Sequence, residues 1–204
     1  MIEVREGTAA DADLIAVVMA TAFQDDPGTV IFEPDPARRS AFLPSFFRAI
    51  ALATLADGGS LIVPSGALDG VATWFGPGRY GPTEAALVAN GFEDALSLLG
   101  AVGADRVVRM IGELEAQHDR LMAGRPHLRL DFFAVDPATQ GHGVGGALIS
   151  WGHRRAEALG LPVYLETFTE RNVRFYERRG YGLLATFLVA DETAVYAMER
   201  PLTE

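Results

Sequence analysis

The chain has 204 residues, 49% of them hydrophobic, with 22 Gly, 11 Pro and no cysteine; this suits one sizeable core and excludes a disordered chain, a coiled coil, disulfides and a cysteine nucleophile. All 17 basic residues are Arg, and against 27 acids they leave a net charge of −10, a field that repels nucleic acid. No apolar stretch reaches the roughly 18 residues that span a bilayer, and the start MIEVREG lacks a basic and then apolar leader, so a cytoplasmic chain with no membrane partner is expected.

In chain order, a short strand at Ile2 to Arg5 precedes a helix from about Asp11 to Phe23, with Thr8 and Asp11 spaced as a capping box. Asp25 to Pro36 reads as a loop, Pro36 to Ala56 as a second helix, and Ser60 to Val63 and Val71 to Phe75 as strands joined through SGALDG. Gly76 to Pro82 is again loop, and Thr83 to Leu99 a helical region. In the next helix Val107, Ile111, Leu114, His118 and Leu121 recur at helical spacing, which predicts a core-facing stripe. Then follow a strand (Leu128 to Val135), a glycine loop, a helix to Leu159, a strand (Pro162 to Thr167), a helix (Glu170 to Arg179) and two strands (Tyr181 to Val189, Thr193 to Glu199). Alternating strands and helices predict an α/β (α+β) domain with a mixed sheet flanked by helices.

Two glycine patterns overlap after Val135. Gly141, Gly143 and Gly146 satisfy GxGxxG, with Glu166 twenty residues on, the spacing of a dinucleotide-binding fingerprint and hence of an oxidoreductase. The context opposes it: Asp136 to Gln140 separate the strand from the first Gly, and 58 residues are too few to finish a doubly wound domain. Gln140, Gly143 and Gly145 form QxxGxG instead. Small residues there turn several N–H groups toward one point at a helix start, a cradle for phosphate that needs no Lys. A plain glycine turn is the alternative.

The segments AVDP, QGHGVGGAL, VYLET and RNVRFYERRGY together resemble the GNAT superfamily of acetyl-CoA-dependent N-acetyltransferases, actinobacterial type, whose members include enzymes acting on puromycin-like amines. The match is strong over Leu128 to Tyr181 and loose over the first 100 residues. It implies a single domain over residues 1–204, with a central, mostly antiparallel sheet, an acceptor-side half (1–126) and an acetyl-CoA-binding half (127–204). Phe133, Ala134 and Val135 would offer backbone groups to the pantetheine arm. Gln140, Gly141, His142, Gly143, Val144, Gly145 and Gly146 would hold the diphosphate, Asn172 would touch acetyl-CoA from the next helix, and Tyr176 would stand near the thioester sulfur. A homodimer through terminal strands is a further implication. A non-catalytic acyl-CoA sensor of the same fold is the alternative activity.

The chemistry of the residues agrees. Amine attack on a thioester needs a deprotonated nucleophile, an oxyanion donor and a proton for the leaving thiolate. A phenol with pKa ~10 can give its proton to a thiolate whose conjugate acid is near ~8.5, and Tyr176 lies one helical turn from Asn172. Without cysteine, transfer is direct. For the general base two carboxylates stand out: Asp131, which strict alternation puts on one strand face with Phe133, and Glu166 on the strand expected beside it. Residues 1–100 carry 5 Arg and 13 acids (−8), residues 101–204 carry 12 and 14 (−2), so the first half favours a small cationic amine as acceptor. Asp26, before Pro27, is a candidate contact for it or a turn residue; Trp74 is a candidate wall or core. His127, His142 and His153 lack metal-ligand spacing, and no metal is expected.

Overall fold

Strand periodicity and helix caps build an unbroken sheet from both halves of the chain. The computed structural model describes residues 2–190 and 193–202. Its strands are β1 (Val4–Glu6), β2 (Ser60–Pro64), β3 (Gly70–Phe75), β4 (Leu128–Val135), β5 (Val163–Thr167), β6 (Gly182–Val189) and β7 (Thr193–Arg200). They lie in the order β1-β2-β3-β4-β5-β7-β6. Among the described residues only β4 and β5 pair in parallel; the other neighbours are antiparallel. This is the mixed, mostly antiparallel sheet expected, and it leaves no doubly wound parallel sheet for the dinucleotide reading.

The helices are α1 (Ala12–Phe23), α2 (Pro27–Phe32), α3 (Pro36–Ala56), α4 (Glu84–Ala89), α5 (Phe92–Ser97), α6 (Gly100–Met122), α7 (Val144–Leu159) and α8 (Glu170–Glu177). Local chemistry fixes their starts. The Asp11 carboxylate accepts the Thr8 N–H at 2.8 Å ahead of α1. Asp35 caps α3 by accepting the Arg38 N–H, with Pro36 in the first turn. Thr169 does the same for α8 at Asn172.

Two core clusters sandwich the sheet. One face buries Phe42, Phe46, Phe47, Met19 and Val71 with the helices before β4. The other buries Leu128, Leu130, Leu148, Ile149 and Trp74 under α7. The expected stripe on α6 is buried or half-buried throughout, Val107 and His118 fully.

Three expectations need correction. The stretch read as a loop, Asp25 to Pro36, contains α2: Asp26 accepts the Gly28 N–H at 2.9 Å and Pro27 opens the turn. Its six residues, PGTVIF, are too short for a helical period and include three β-branched residues. The region Thr83 to Leu99 is two helices, broken where Gly91 takes φ +86°. Strict alternation along β4 also fails, as described next.

Candidate active site

The site begins where a strand pair comes apart. β4 and β5 are paired from Leu128↔Val163 to Leu130↔Leu165, and no pairing continues beyond. On its other edge, β4 shifts register against β3 between Ala72 and Trp74, so three steps of β4 oppose two of β3. This is a β-bulge, which bends its strand. The Thr73 hydroxyl fills the gap, accepting the Phe132 N–H at 2.7 Å. From Asp131 onward the edge of β4 that faces β5 therefore carries backbone groups with no strand partner. The bulge also shifts the alternation by one residue: Leu128, Leu130, Phe133 and Val135 pack with the α7 core, whereas Phe132 and Ala134 pack with the α1/α3 core. Asp131 thus sits beside Phe132 on the cavity side and does not share a face with Phe133, contrary to the period-two expectation.

The glycine loop closes one end of this slot. Asp136 accepts the Ala138 N–H at 2.8 Å, and Gly141 (φ +85°) and Gly143 (φ +92°) occupy the left-handed region that only glycine enters freely. α7 then starts at Val144. The first amides of a helix have no intrahelical acceptor, so those of Val144, Gly145 and Gly146 point outward with the positive end of the dipole. A Cβ on Gly145 would lie 3.2 Å from the Phe133 ring, which places this turn against the strand. Gln140 ties the loop down from both sides: its Nε2 donates to the Val135 carbonyl at 3.2 Å and its Oε1 accepts from Arg171 of α8 at 3.0 Å. His142 is exposed, its Nδ1 3.1 Å from the Thr139 carbonyl oxygen.

α8 supplies the opposite wall. Tyr176 is buried between Phe133 and Tyr181, with ring centroids 6.3 and 5.4 Å away, and burial pushes its phenol above the usual range. One turn earlier the Asn172 amide donates to the Thr167 hydroxyl at the end of β5, at 3.0 Å.

Beneath the slot lies a cavity of about 180 Å³. At one end Arg129 donates to Glu166 Oε2 at 2.8 Å and to the Tyr80 carbonyl at 3.1 Å. Glu166 Oε1 accepts the Tyr164 hydroxyl at 2.8 Å. Both Glu166 oxygens are thus engaged. Asp131 is different: its Oδ1 stands 3.9 Å from Arg129 Nε, and its Oδ2 is buried with no partner. Burial pushes its carboxyl up to about 6; Arg129 opposes this, while Glu166 and Glu115 add to it. Asp26 also lines the cavity, pushed up to about 6 by burial against the Gly28 N–H bond.

The slot and cavity therefore gather Asp26, Asp131, Phe133, Glu166, Asn172 and Tyr176, with the glycine loop at the slot's end. Trp74 stands apart: it is buried on the α7 face against Gly152 and Trp151 and does not line the cavity. The sequence reading missed Arg129 and Tyr164. A charged residue between Leu128 and Leu130 in a buried strand was the available signal for the first, since an interior strand charge needs a partner. The three histidines considered for a metal are scattered. His127 stacks on Tyr80 and meets His118 (Nε2 to Nε2, 2.9 Å), His153 meets the Tyr181 hydroxyl, and His142 is in the loop. Among the described residues no group of three His, Asp or Glu is placed to hold a metal ion, and no helix is long and apolar enough to cross a membrane.

Residues 72–181, from β3 through the slot to the end of α8, match the family model of the acetyltransferase (GNAT) family. The chain belongs to the GNAT family. The matched span contains the bulged strand, the glycine loop and Tyr176. Curated relatives match over shorter segments. A mycothiol acetyltransferase of Propionibacterium freudenreichii is 38% identical over 66 residues, 31% of this chain and 21% of that protein. An uncharacterized N-acetyltransferase of Schizosaccharomyces pombe is 34% identical over 76 residues, 36% of this chain and 32% of its own. The chain thus aligns with about a fifth to a third of the length of these relatives. Solved GNAT structures match end to end. One from Corynebacterium glutamicum, described as histone acetyltransferase HPA2 and related acetyltransferase, has TM-score 0.67 at 24% identity, covering 100% of this chain and 98% of its own. The Drosophila melanogaster polyamine N-acetyltransferase, which forms N-acetylagmatine, has TM-score 0.63 at 18% identity, covering 99% and 100%. At these identities the likeness is one of fold.

Proposed function

We propose that this GNAT protein transfers the acetyl group of acetyl-CoA directly to a primary amine, with Asp131 as general base and Tyr176 as general acid. The observation that carries the reading is the parting of β4 and β5 after Leu130 and Leu165. It leaves a slot that runs from the amides of the glycine loop to Tyr176, with the cavity and Asp131 alongside. In this reading residues 140 to 146 hold the diphosphate, and the free backbone edge of Phe133, Ala134 and Val135 holds the pantetheine amides and donates to the developing oxyanion. Asn172, anchored on Thr167, steadies the same substrate. A shallow groove between α7 and α8, lined by Ser150, Arg178 and Arg179, suits the remaining phosphate charge.

The amine nitrogen bonds to the thioester carbon as its proton passes to Asp131; the C–S bond breaks as the thiolate takes the Tyr176 proton. Asp131 suits the base because its Oδ2 has no other partner, whereas Glu166 is held at both oxygens and serves to neutralise and position Arg129. The small-amine preference draws support from the acidic first half and from GNAT neighbours described as acting on agmatine and polyamine.

The test is thiol release from acetyl-CoA in the presence of a panel of primary amines. Tyr176→Phe is expected to lower kcat by about 10²-fold, the usual worth of a general acid, with the KM for acetyl-CoA little changed. Unchanged turnover in that variant would remove Tyr176 from the mechanism. Tight acetyl-CoA binding with no thiol release from any amine would support the non-catalytic sensor instead.

A further inference from the structure

Two buried polar atoms in the site stand almost within reach of each other and are unpaired. Arg129 Nε and Asp131 Oδ2 have no hydrogen-bond partner among the described residues, although Nε lies only 3.9 Å from the other oxygen of the same carboxylate. An unmade hydrogen bond is costly inside a protein, so a donor and an acceptor this close on one strand would pair unless something held the guanidinium back. Two bonds do so: Nη2 donates to Glu166 at 2.8 Å and Nη1 to the Tyr80 carbonyl at 3.1 Å. The charged groups around Asp131 are Arg129 on its own strand, Glu166 on β5, Glu115 on α6 and Asp26 ahead of α2, and Arg129 is the one cation among them.

The Tyr80 carbonyl lies in the loop between β3 and α4, and its own ring sets its place. That ring stacks flat on His127, with centroids 3.9 Å apart and planes within 3°. His127 is in turn fixed at both nitrogens. Its Nδ1–H donates to the Arg125 carbonyl at 2.7 Å, which can only accept, so its Nε2 accepts from His118 Nε2–H at 2.9 Å. Burial pushes the His127 ring down to about 4 and His118 below its usual range, so this seat stays uncharged near neutral pH. The far end of the loop is tied separately, where the Thr83 N–H and hydroxyl donate to Asp57. Between Gly78 and Gly81 the stacked ring seats the chain.

We infer that Tyr80 is a positioning residue: its ring, seated on the paired His127 and His118, fixes the carbonyl that holds the Arg129 guanidinium on Glu166 and off Asp131, and so leaves that carboxylate unpaired. The consequence for rate rests on Asp131 being the base proposed above; the placing of Arg129 does not.

The test uses Tyr80→Ala, which removes the stack, and Tyr80→Phe, which keeps it. The Asp131 carboxyl is titrated by carbon-13 NMR in protein labelled at the aspartate carboxyl carbons, its signal assigned by its loss in Asp131→Asn. In the parent and in Tyr80→Phe the midpoint is expected at about 6. In Tyr80→Ala the released guanidinium turns onto Asp131, and an opposite charge that close favours the ionised form, so the midpoint is expected to fall by roughly one pH unit or more. Tyr80 is half-buried in its loop, and a cooperative melt checks that the variant folds. A midpoint in Tyr80→Ala equal to or above the parent's, or one in Tyr80→Phe that falls as far, would overturn the inference. The same variants are followed in kcat/KM by thiol release, whose acid limb is expected to move with the carboxyl. A carboxyl that moves while the limb stays would uphold the placing of Arg129 by Tyr80 and remove Asp131 as the base.

Discussion

Asp131, the proposed general base, is costly to ionise and has an oxygen with no other partner, and both properties come from the same burial. Its carboxyl is pushed up to about 6, with Arg129 beside it on β4 pulling the other way and Glu166 on β5 and Glu115 on α6 reinforcing the rise. In the unfolded chain an aspartate titrates near ~3.9. Between these values the folded protein keeps a proton that the unfolded chain has released. The stability this group contributes is therefore fully present below about pH 4 and lost as pH rises through about 6. Asp131→Asn removes that loss. The variant is expected to melt several degrees above the parent at pH 8, since each kcal/mol moves Tm by about 2–4 °C in a chain of this size, and level with it near pH 4. Equal Tm at pH 8 would mean that the ionised carboxylate finds a partner after all. With Asp131 as the proposed base, kcat/KM of the parent is expected to fall about tenfold per pH unit below 6 as that carboxylate is protonated. Both carboxylates, Asp131 and Glu166, were legible in the sequence because they lie on strands expected to be neighbours. Which of them is free was not legible, since that depends on where the Arg129 guanidinium goes, and nothing local to LRLDFF encodes it.

At the scale of elements, α7 both carries the outward amides of the loop and bolts the slot to the sheet, and the first turn and the middle of the helix make opposite demands on glycine. At Gly152 a Cβ would lie 2.1 Å from the indole of Trp74, which is buried on β3 and packed against Trp151 as well. Gly152→Ala must displace a ring with nowhere to go, and overpacking of this kind costs about 1–3 kcal/mol or more. At Gly146, by contrast, an added Cβ would meet nothing nearer than the Arg179 guanidinium at 3.9 Å, and alanine favours the helix by up to about 1 kcal/mol. Denaturant titration is expected to show a clearly lower midpoint for Gly152→Ala and an equal or higher one for Gly146→Ala. A Gly152→Ala midpoint equal to the parent's would mean that Trp74 repacks freely. This contrast also marks where pattern reading stops. The bounds of α3 and β4 follow from caps, prolines and a long apolar period, and they are observed where expected. α2, the bulge at Asp131 and Phe132, and the seat of Trp74 under α7 arise from packing between distant segments, so the glycine that α7 needs looks like any other in the sequence.

For the whole molecule the weak point of the architecture is the middle of its sheet, where β4 and β5 stop pairing and only side chains bridge the gap. A ligand that fills this gap joins the half of the sheet from β1 to β4 to the half from β5 to β6, and it binds the folded state alone. Binding of that kind stabilises by RT ln(1 + [L]/Kd), about 2.7 kcal/mol at a concentration of 100 Kd. For a chain of this length that corresponds to a rise in Tm of roughly 5–11 °C. Coenzyme A is expected to produce it and NAD is not, because NAD shares the diphosphate but has no pantetheine arm to lie along the free edge of residues 131 to 135. Differential scanning calorimetry with each nucleotide at equal concentration separates the two. An equal shift from both would locate the stabilisation in the glycine loop alone and remove the parted strands from the binding site.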